Sequence, residues 1–333
     1  MEALKPRVVA EFPVAEEALR ILQEVAEVEV IPYSGRSLTE AVSDAEAFMG
    51  FARIDDGFLR GAPRLRIAAY FGVGYQDRFD VEACTRRGVY VTFTPGALSG
   101  AVAELTMGLV LCCARQIPLA DAYVRSGRWQ SSGVWTLGVG LEGKTLGILG
   151  LGRIGYEVAR RARAFGMNVV YHDVVRNAKG EAEGVAKYVG FEEIFKVSDF
   201  LTVHIPLTPE NAKKIGEKEL KLMKKTAYLV NTSRGGIIDE SALCKALSEN
   251  QIAGAGLDVF TTEPLPKGSP LLKMRNVILT PHDGSATVEA RTKMATMNAE
   301  DVVRVLRGEA PVNIVPEQRA RLPLGKKRSI DLQ

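Results

Sequence analysis

Three side chains late in the chain have the types that a proton-coupled redox reaction needs. His282 follows Pro281 and precedes Gly284 and Ser285. Its imidazole titrates near neutral pH, so it can give and take a proton. Glu263, in the stretch TTEPL, can pair with that ring, fix its tautomer and favour imidazolium. Arg234, flanked by Ser233 and Gly235-Gly236, can grip a carboxylate through two parallel N–H bonds. Such arginines and glutamates also form purely structural ion pairs. A carboxylate clamp, a carboxylate-backed histidine and a hydride carrier together suit the reversible oxidation of a 2-hydroxy acid to a 2-keto acid.

The carrier is implied by Thr145 to Asp173, TLGILGLGRIGYEVARRARAFGMNVVYHD. A short apolar β-prone run leads into Gly150, Gly152 and Gly155, spaced G-x-G-x-x-G, and Ile154, Val158 and Ala162 then share one helical face. The first glycine permits the turn, the second lets backbone N–H groups approach a pyrophosphate, and the third lets the helix pack on the sheet. Asp173 ends the next strand 18 residues past Gly155, where a carboxylate can accept hydrogen bonds from a ribose 2′-hydroxyl. It would repel a 2′-phosphate, so NAD is expected over NADP, with Arg176 able to offset this in part.

The elements that must position these groups alternate strand and helix. Strands are expected at 7–11, 27–31, 47–51 and 65–70, with helices between them, then a turn at Thr94-Pro95-Gly96. One long apolar helix is expected from Ser99 to Gln116, continuing through Leu119 to Arg125. The stretch Gly127 to Gly140 reads as a packed loop. Later strands end at His204-Ile205-Pro206, at Thr232-Ser233-Arg234, at Thr261-Thr262-Glu263 and at Pro281-His282, with a helix at Glu240 to Ser248. In open parallel sheets ligands bind beyond the carboxyl ends of strands, which is where the charged candidates fall. His172 should point away from the cofactor as packing, and His204 reads as structural or cofactor-lining. The backbone amides of Phe71-Gly72-Val73-Gly74-Tyr75 could bind a small anion, or form a simple turn.

Composition narrows the class. A chain of 333 residues is long for one core, so two domains are expected. The apolar share is 46% and the charged share 25%, ordinary for a globular protein. Ala101 to Ala114 carries Glu104 and is too short to span a bilayer, and no signal peptide opens the chain. Cys84, Cys112, Cys113 and Cys244 lack C-x-x-C spacing, so neither disulfides nor a metal site are expected, and a reducing cytoplasm is. From Glu317 onward five Lys or Arg and two acids account for the whole formal charge of +3. A neutral body gives no footprint for nucleic acid, and the basic tail reads as a solvated end.

The set GILGLGRIG, HIPLTPE, VNTSRGGIID, GLDVFTTEPL and TPHDGSAT closely resembles the D-isomer-specific 2-hydroxyacid dehydrogenase family. FGVGYQDRFDVEACTRRGVYVTFTPG matches that family's N-terminal pattern, and the resemblance covers about residues 5–316. It implies an α/β fold of two domains. A Rossmann doubly wound parallel sheet that binds NAD (99–287) is inserted into a smaller flavodoxin-like α/β substrate domain (1–98 and 288–333). It implies Arg234, Glu263 and His282 as the catalytic trio, with Val73 and Gly74 amides joining Arg234 and His282 around the substrate. Cofactor contacts fall to Gly150, Gly152, Arg153, Ile154, Gly155, Asp173, His204, Pro206, Thr208, Thr232, Ser233 and Gly284, and to Asp258 near the nicotinamide carboxamide. A homodimer through the helix about Ser99–Arg125 is implied too. Two positions depart from the pattern: Asp283 stands where an apolar residue is usual, and Gly74-Tyr75-Gln76-Asp77 replaces G-Y-D-N. Among members, glyoxylate or hydroxypyruvate reductases fit best. Phosphoglycerate dehydrogenase and D-lactate dehydrogenase are alternatives. Phosphite dehydrogenases carry lysine at Val73, formate dehydrogenases carry Gln for the catalytic Glu, and an NAD-sensing corepressor is a reading of another class.

Overall fold

The computed structural model describes residues 5–129 and 137–322. Residues 130–136 of the stretch read above as a packed loop, and most of the basic tail, lie outside them. The chain divides into two compact units, one of residues 1–98 with 286–333, the other of residues 99–285.

In the first unit β1 (Arg7–Ala10), β2 (Glu27–Val30), β3 (Ala47–Gly50), β4 (Ile67–Tyr70) and β5 (Tyr90–Thr92) form one parallel sheet, in the order β2-β1-β3-β4-β5. Every residue of β3 and β4 is buried, which is why these strands read as unbroken apolar runs rather than alternating ones. The helix Glu16–Gln23 packs on the helix Val288–Leu306, so the end of the chain completes this unit's core. That last helix starts at Thr287, whose hydroxyl accepts the Ala290 amide at 3.1 Å, and it buries Ala290, Met294, Ala299 and Val302. Beyond it the Gln318 side chain accepts from the Val91 amide at 2.7 Å and donates to Val89 O at 2.9 Å. The helix Val81–Arg86 and β5 escaped the sequence reading. Asp80, which caps that helix by accepting from the Ala83 amide at 2.8 Å, was the available signal.

The second unit contains β6 (Thr145–Leu149), β7 (Asn168–His172), β8 (Lys187–Tyr188), β9 (Phe200–Val203), β10 (Tyr228–Asn231), β11 (Gly254–Leu257) and β12 (Val277–Leu279). They run parallel in the order β12-β11-β10-β9-β6-β7-β8. The order reverses between β6 and β9, the switch point at which such sheets open a crevice. One core packs Ile194, Phe195, Leu220, Leu243 and Leu247 with the sheet. A second gathers Ala103, Met107, Val110, Val158 and Ala162. The expected single helix breaks into Ser99–Arg115 and Ile117–Arg125, bent by 62°. Gln116 turns into the left-handed region at φ 51°, and Pro118 cannot donate to the preceding turn. No single helix among the described residues is long and apolar enough to cross a membrane.

Candidate active site

The first half of the site is the turn after β6. Gly150 has φ 97°, a conformation that side chains resist. A Cβ on Gly155 would lie 2.1 Å from Gly150 O, so the helix Arg153–Ala164 starts hard against the turn. Around Gly152, which caps that helix, a Cβ would meet nothing within 4 Å. Open space therefore faces a helix N-terminus, with Arg153 and Ile154 in its first turn, as a pyrophosphate requires. Asp173 follows β7; its Oδ2 accepts from the Leu151 amide at 2.8 Å and its Oδ1 from the Val174 amide at 2.7 Å. The carboxylate is thereby fixed beside the glycine turn.

Across the switch point, His204 follows β9. Its amide donates to Leu149 O at 2.7 Å, and a Cβ on Gly150 would lie 2.9 Å from its carbonyl oxygen. Burial pushes the imidazole pKa down to about 3, so the ring is neutral at physiological pH. Its Nε2 is buried without a hydrogen-bond partner. An orphaned polar atom on one side and open space at Gly152 on the other fit a dinucleotide lying across the crevice. The following loop is held by Asn211, which donates to Pro206 O at 3.1 Å and to Thr208 O at 3.0 Å. His172 packs instead: its Nδ1 lies 3.0 Å from Val189 O and its ring 5.4 Å from that of Phe191.

The second half is built at the ends of β10, β11 and β12. Asn231 is fully buried and ties the turn after β10. Its Oδ1 accepts from Ser233 N at 3.0 Å and Ser233 Oγ at 2.9 Å, and its Nδ2 donates to Arg234 O at 2.9 Å. Thr232 is anchored through its hydroxyl, 2.8 Å from that of Thr106. A Cβ on Gly235 would lie 2.0 Å from the Phe260 carbonyl carbon, so the turn bearing Arg234 abuts the loop bearing Glu263. Glu263 Oε1 accepts from the Phe260 amide at 3.0 Å, and Oε2 lies 2.8 Å from His282 Nδ1. Burial by itself would raise the Glu263 pKa. Hydrogen bonds from His282 and the Phe260 amide, with the charges of His282 and Arg234, outweigh it and hold the group below the ordinary carboxylate range. An ionised Glu263 accepts only, so Nδ1 carries a proton and Nε2 is left to exchange one. The His282 side chain is 42% exposed, open to a small reactant.

The turn that carries His282 is held from beneath by Asp258, which is fully buried. Its Oδ1 accepts from Thr280 Oγ1 at 2.7 Å and Asp283 N at 2.8 Å, and its Oδ2 from Gly284 N at 2.9 Å. The Asp258 carbonyl accepts the His282 amide at 2.9 Å, and His282 itself sits at φ 58°. Asn231, Thr280, Thr106 and the Phe260 amide were missed by sequence reasoning. For Asn231 a signal existed, since a strand-end Asn commonly bonds backbone two residues on; a pair such as Thr106–Thr232 leaves none.

Residues 107–284 match the model described as D-isomer specific 2-hydroxyacid dehydrogenase, NAD binding domain. Over 324 residues the chain is 46% identical to a glyoxylate reductase of Thermococcus litoralis, spanning 94% of this chain and 97% of that one. The chain belongs to the D-isomer specific 2-hydroxyacid dehydrogenase family. It is an oxidoreductase whose second unit is a NAD-binding domain. Among solved structures it resembles a glyoxylate reductase from Paecilomyes thermophila, with 33% identity, a TM-score of 0.85, and coverage of 95% of this chain and 99% of the other. It also resembles an NADPH-dependent glyoxylate/hydroxypyruvate reductase from Sinorhizobium meliloti, solved with NADP and malonate, with 32% identity, a TM-score of 0.84, and coverage of 98% and 100%.

The first unit of this dehydrogenase holds the Val73–Gly74 loop from both sides. Gly72 N donates to Tyr70 O at 2.9 Å, and Thr94 donates to Gly72 O through its amide at 2.9 Å and its hydroxyl at 3.0 Å. Tyr75 donates its hydroxyl to Glu317 at 2.9 Å. Gln76, one of the departures from the family pattern, is exposed. All four cysteines are free thiols, and no cluster of three metal-binding side chains occurs among the described residues.

Proposed function

We propose that this enzyme reduces glyoxylate or hydroxypyruvate to the corresponding 2-hydroxy acid, D-configured where the product is chiral, with NADH preferred over NADPH, and catalyses the reverse oxidation. The observation that carries the reading is the 2.8 Å Glu263–His282 pair beside Arg234 at the strand ends of the NAD-binding sheet. The glyoxylate and hydroxypyruvate reductases among its relatives support a small substrate. NADH, when bound at Gly150, Gly152, Gly155 and Asp173, supplies the hydride. Arg234 holds the substrate carboxylate through its fork. His282 begins protonated, and Nε2 delivers that proton to the carbonyl oxygen as the carbonyl carbon becomes tetrahedral. One keto acid, one NADH and one proton give one hydroxy acid and one NAD. Glu263 stays ionised throughout and steadies the imidazolium. Asp173 accepts from the ribose and repels a 2′-phosphate. The enzyme works in the cytoplasm as a homodimer joined through the helices Ser99–Arg115 and Ile117–Arg125.

The test is a panel of glyoxylate, hydroxypyruvate, pyruvate and phosphohydroxypyruvate, each with NADH and NADPH. Glyoxylate or hydroxypyruvate with NADH should give the highest kcat/KM. A lead of tenfold or more for pyruvate or phosphohydroxypyruvate overturns the substrate assignment. Absence of turnover with all four favours a sensing role instead.

A further inference from the structure

The loop after β7 contains a second device bearing on cofactor choice. Asp173 and Asn177 both bond to Leu151 of the glycine turn, Asp173 by accepting its amide at 2.8 Å and Asn177 by donating to its carbonyl at 2.8 Å. Arg176 lies between these two anchors in sequence, three residues past Asp173. An arginine at such a place is the group that ordinarily accommodates the 2′-phosphate of NADP. Here it is engaged elsewhere. Its Nε donates to Glu181 Oε1 at 3.0 Å, its Nη2 bonds Glu181 Oε2, and its guanidinium lies over the Tyr188 ring, 5.1 Å from the centroid. Glu181 is in turn fixed by the fully buried Tyr171, whose hydroxyl donates to Oε1 at 2.5 Å and accepts the Asn177 amide at 2.8 Å. The next cation, Lys179, is also occupied, 3.9 Å from Glu183 and 5.3 Å from the centre of the Tyr156 ring.

We propose that Glu181 is a specificity-determining residue for the cofactor. It latches Arg176 in a two-point fork and so denies a 2′-phosphate the cation it would need. The proposal rests on the reading that Asp173 favours NADH, and it adds a separate cause. Asp173 repels the phosphate directly, whereas Glu181 withholds the attraction that would offset that repulsion. The fork is mostly solvent-exposed on the arginine side, with Arg176 at 66% and Glu181 at 25%. Its hold is therefore modest, and the buried Tyr171 anchor and the Tyr188 stack keep it in one geometry.

The experiment measures binding to the apo enzyme by calorimetry, with adenosine 2′,5′-bisphosphate and 5′-AMP as probes. Kinetics with NADH and NADPH run alongside. Glu181→Gln keeps an acceptor for Tyr171 but removes the charge that holds Arg176. It should bind the bisphosphate at least fivefold more tightly than wild type, with 5′-AMP changed less than twofold. Adding Arg176→Ala to Glu181→Gln should cancel the gain. Arg176→Ala alone should leave bisphosphate affinity within twofold of wild type, a measurement that does not depend on Glu181 variants folding. The latch is overturned if Glu181→Gln gains nothing, if the gain survives without Arg176, or if Arg176→Ala alone loses affinity. Asp173→Ser tests the other reading separately. If it fails to improve bisphosphate binding, Asp173 is not the repelling group, whatever Glu181 does.

Discussion

Replacing Arg234 with lysine keeps the positive charge and discards the planar fork. With Asn231 fixing the turn from below, the backbone should stay in place, so the loss reports on recognition. Arg234→Lys is expected to lower kcat/KM for glyoxylate roughly tenfold or more, about 1.4 kcal/mol of transition-state stabilisation. Near-normal kinetics would reduce Arg234 to a structural residue. Glu263 is tested through pH. Its pKa is lowered in the folded protein, so its ionised form stabilises the fold above about pH 4.3. That contribution is lost as pH falls through the lower folded value. Glu263→Gln removes the charge that favours imidazolium, so the falling limb of the kcat/KM profile for glyoxylate reduction should move to lower pH. The rising limb of hydroxy-acid oxidation should follow it. A stationary limb would shift attention to Asp283 beside the histidine. His204 carries the same sign from a different cause, since burial disfavours its charged form. Its folded pKa is pushed down to about 3, against about 6.5 when unfolded. The unfolded chain thus takes up the proton first, and stability falls as pH drops through that window, by up to about 1.4 kcal/mol per unit. Urea midpoints at pH 7 and pH 5 should differ less in His204→Gln than in wild type. Equal differences would mean that His204 is hydrated.

At the scale of elements, the turn from Thr280 to Gly284 depends on one carboxylate. Thr280→Val leaves Asp258 Oδ1 with the Asp283 amide as its remaining partner, at a cost of roughly 1–3 kcal/mol for the under-satisfied buried charge. Stopped-flow measurement should show kcat reduced several-fold while NADH binding by fluorescence is unchanged. Equal losses in both would place the threonine in cofactor binding instead. Elements with strong local signals were legible before any coordinates. The helix Glu240–Ser248 falls at the residues expected, because Asp239 caps it by accepting from Ser241 N at 3.1 Å and Ala242 N at 3.2 Å. The glycine fingerprint, the strand ends and the three chemical side chains were visible because each is a short pattern with its own physical cause. What binds those side chains together was not. Asp258 and Thr280 are 22 positions apart, and Thr106 and Thr232 are 126 apart. Such pairs meet only through the strand order of the sheet. The break at Gln116 was missed because the apolar pattern runs on through it.

For the molecule as a whole, the helix Ile117–Arg125 buries none of its residues in the second unit, and Ile117 and Val124 remain 49% and 51% exposed. Beside it lies a groove of about 320 Å³ whose lining includes Cys112, Leu119, Tyr228 and Ile278. A partner subunit seated there would remove apolar surface from water. Light scattering should therefore give about twice the chain mass of 36.2 kDa, and Ile117→Glu with Val124→Glu should bring it to the single-chain value. A monomeric wild type, or a variant that still dimerises, would show that these helices are not the contact. Strand alternation made the pair of sheets legible in the sequence. The return of the chain to its first unit was carried by the resemblance, because no local signal marks it.

That return has a consequence for synthesis. The first 98 residues leave the ribosome before any of the second unit, yet their sheet lacks the helix Val288–Leu306 and the Gln318 bonds to Val89 and Val91 until the end is made. At about 5–20 residues per second, the intervening residues 99–285 take roughly 10–40 s to translate. Throughout that interval the apolar faces of β3 and β4 have only the helices of their own segment to cover them. The unit encoded in the middle can be complete while the one encoded first is still waiting, so the nascent first unit is the natural client for a chaperone.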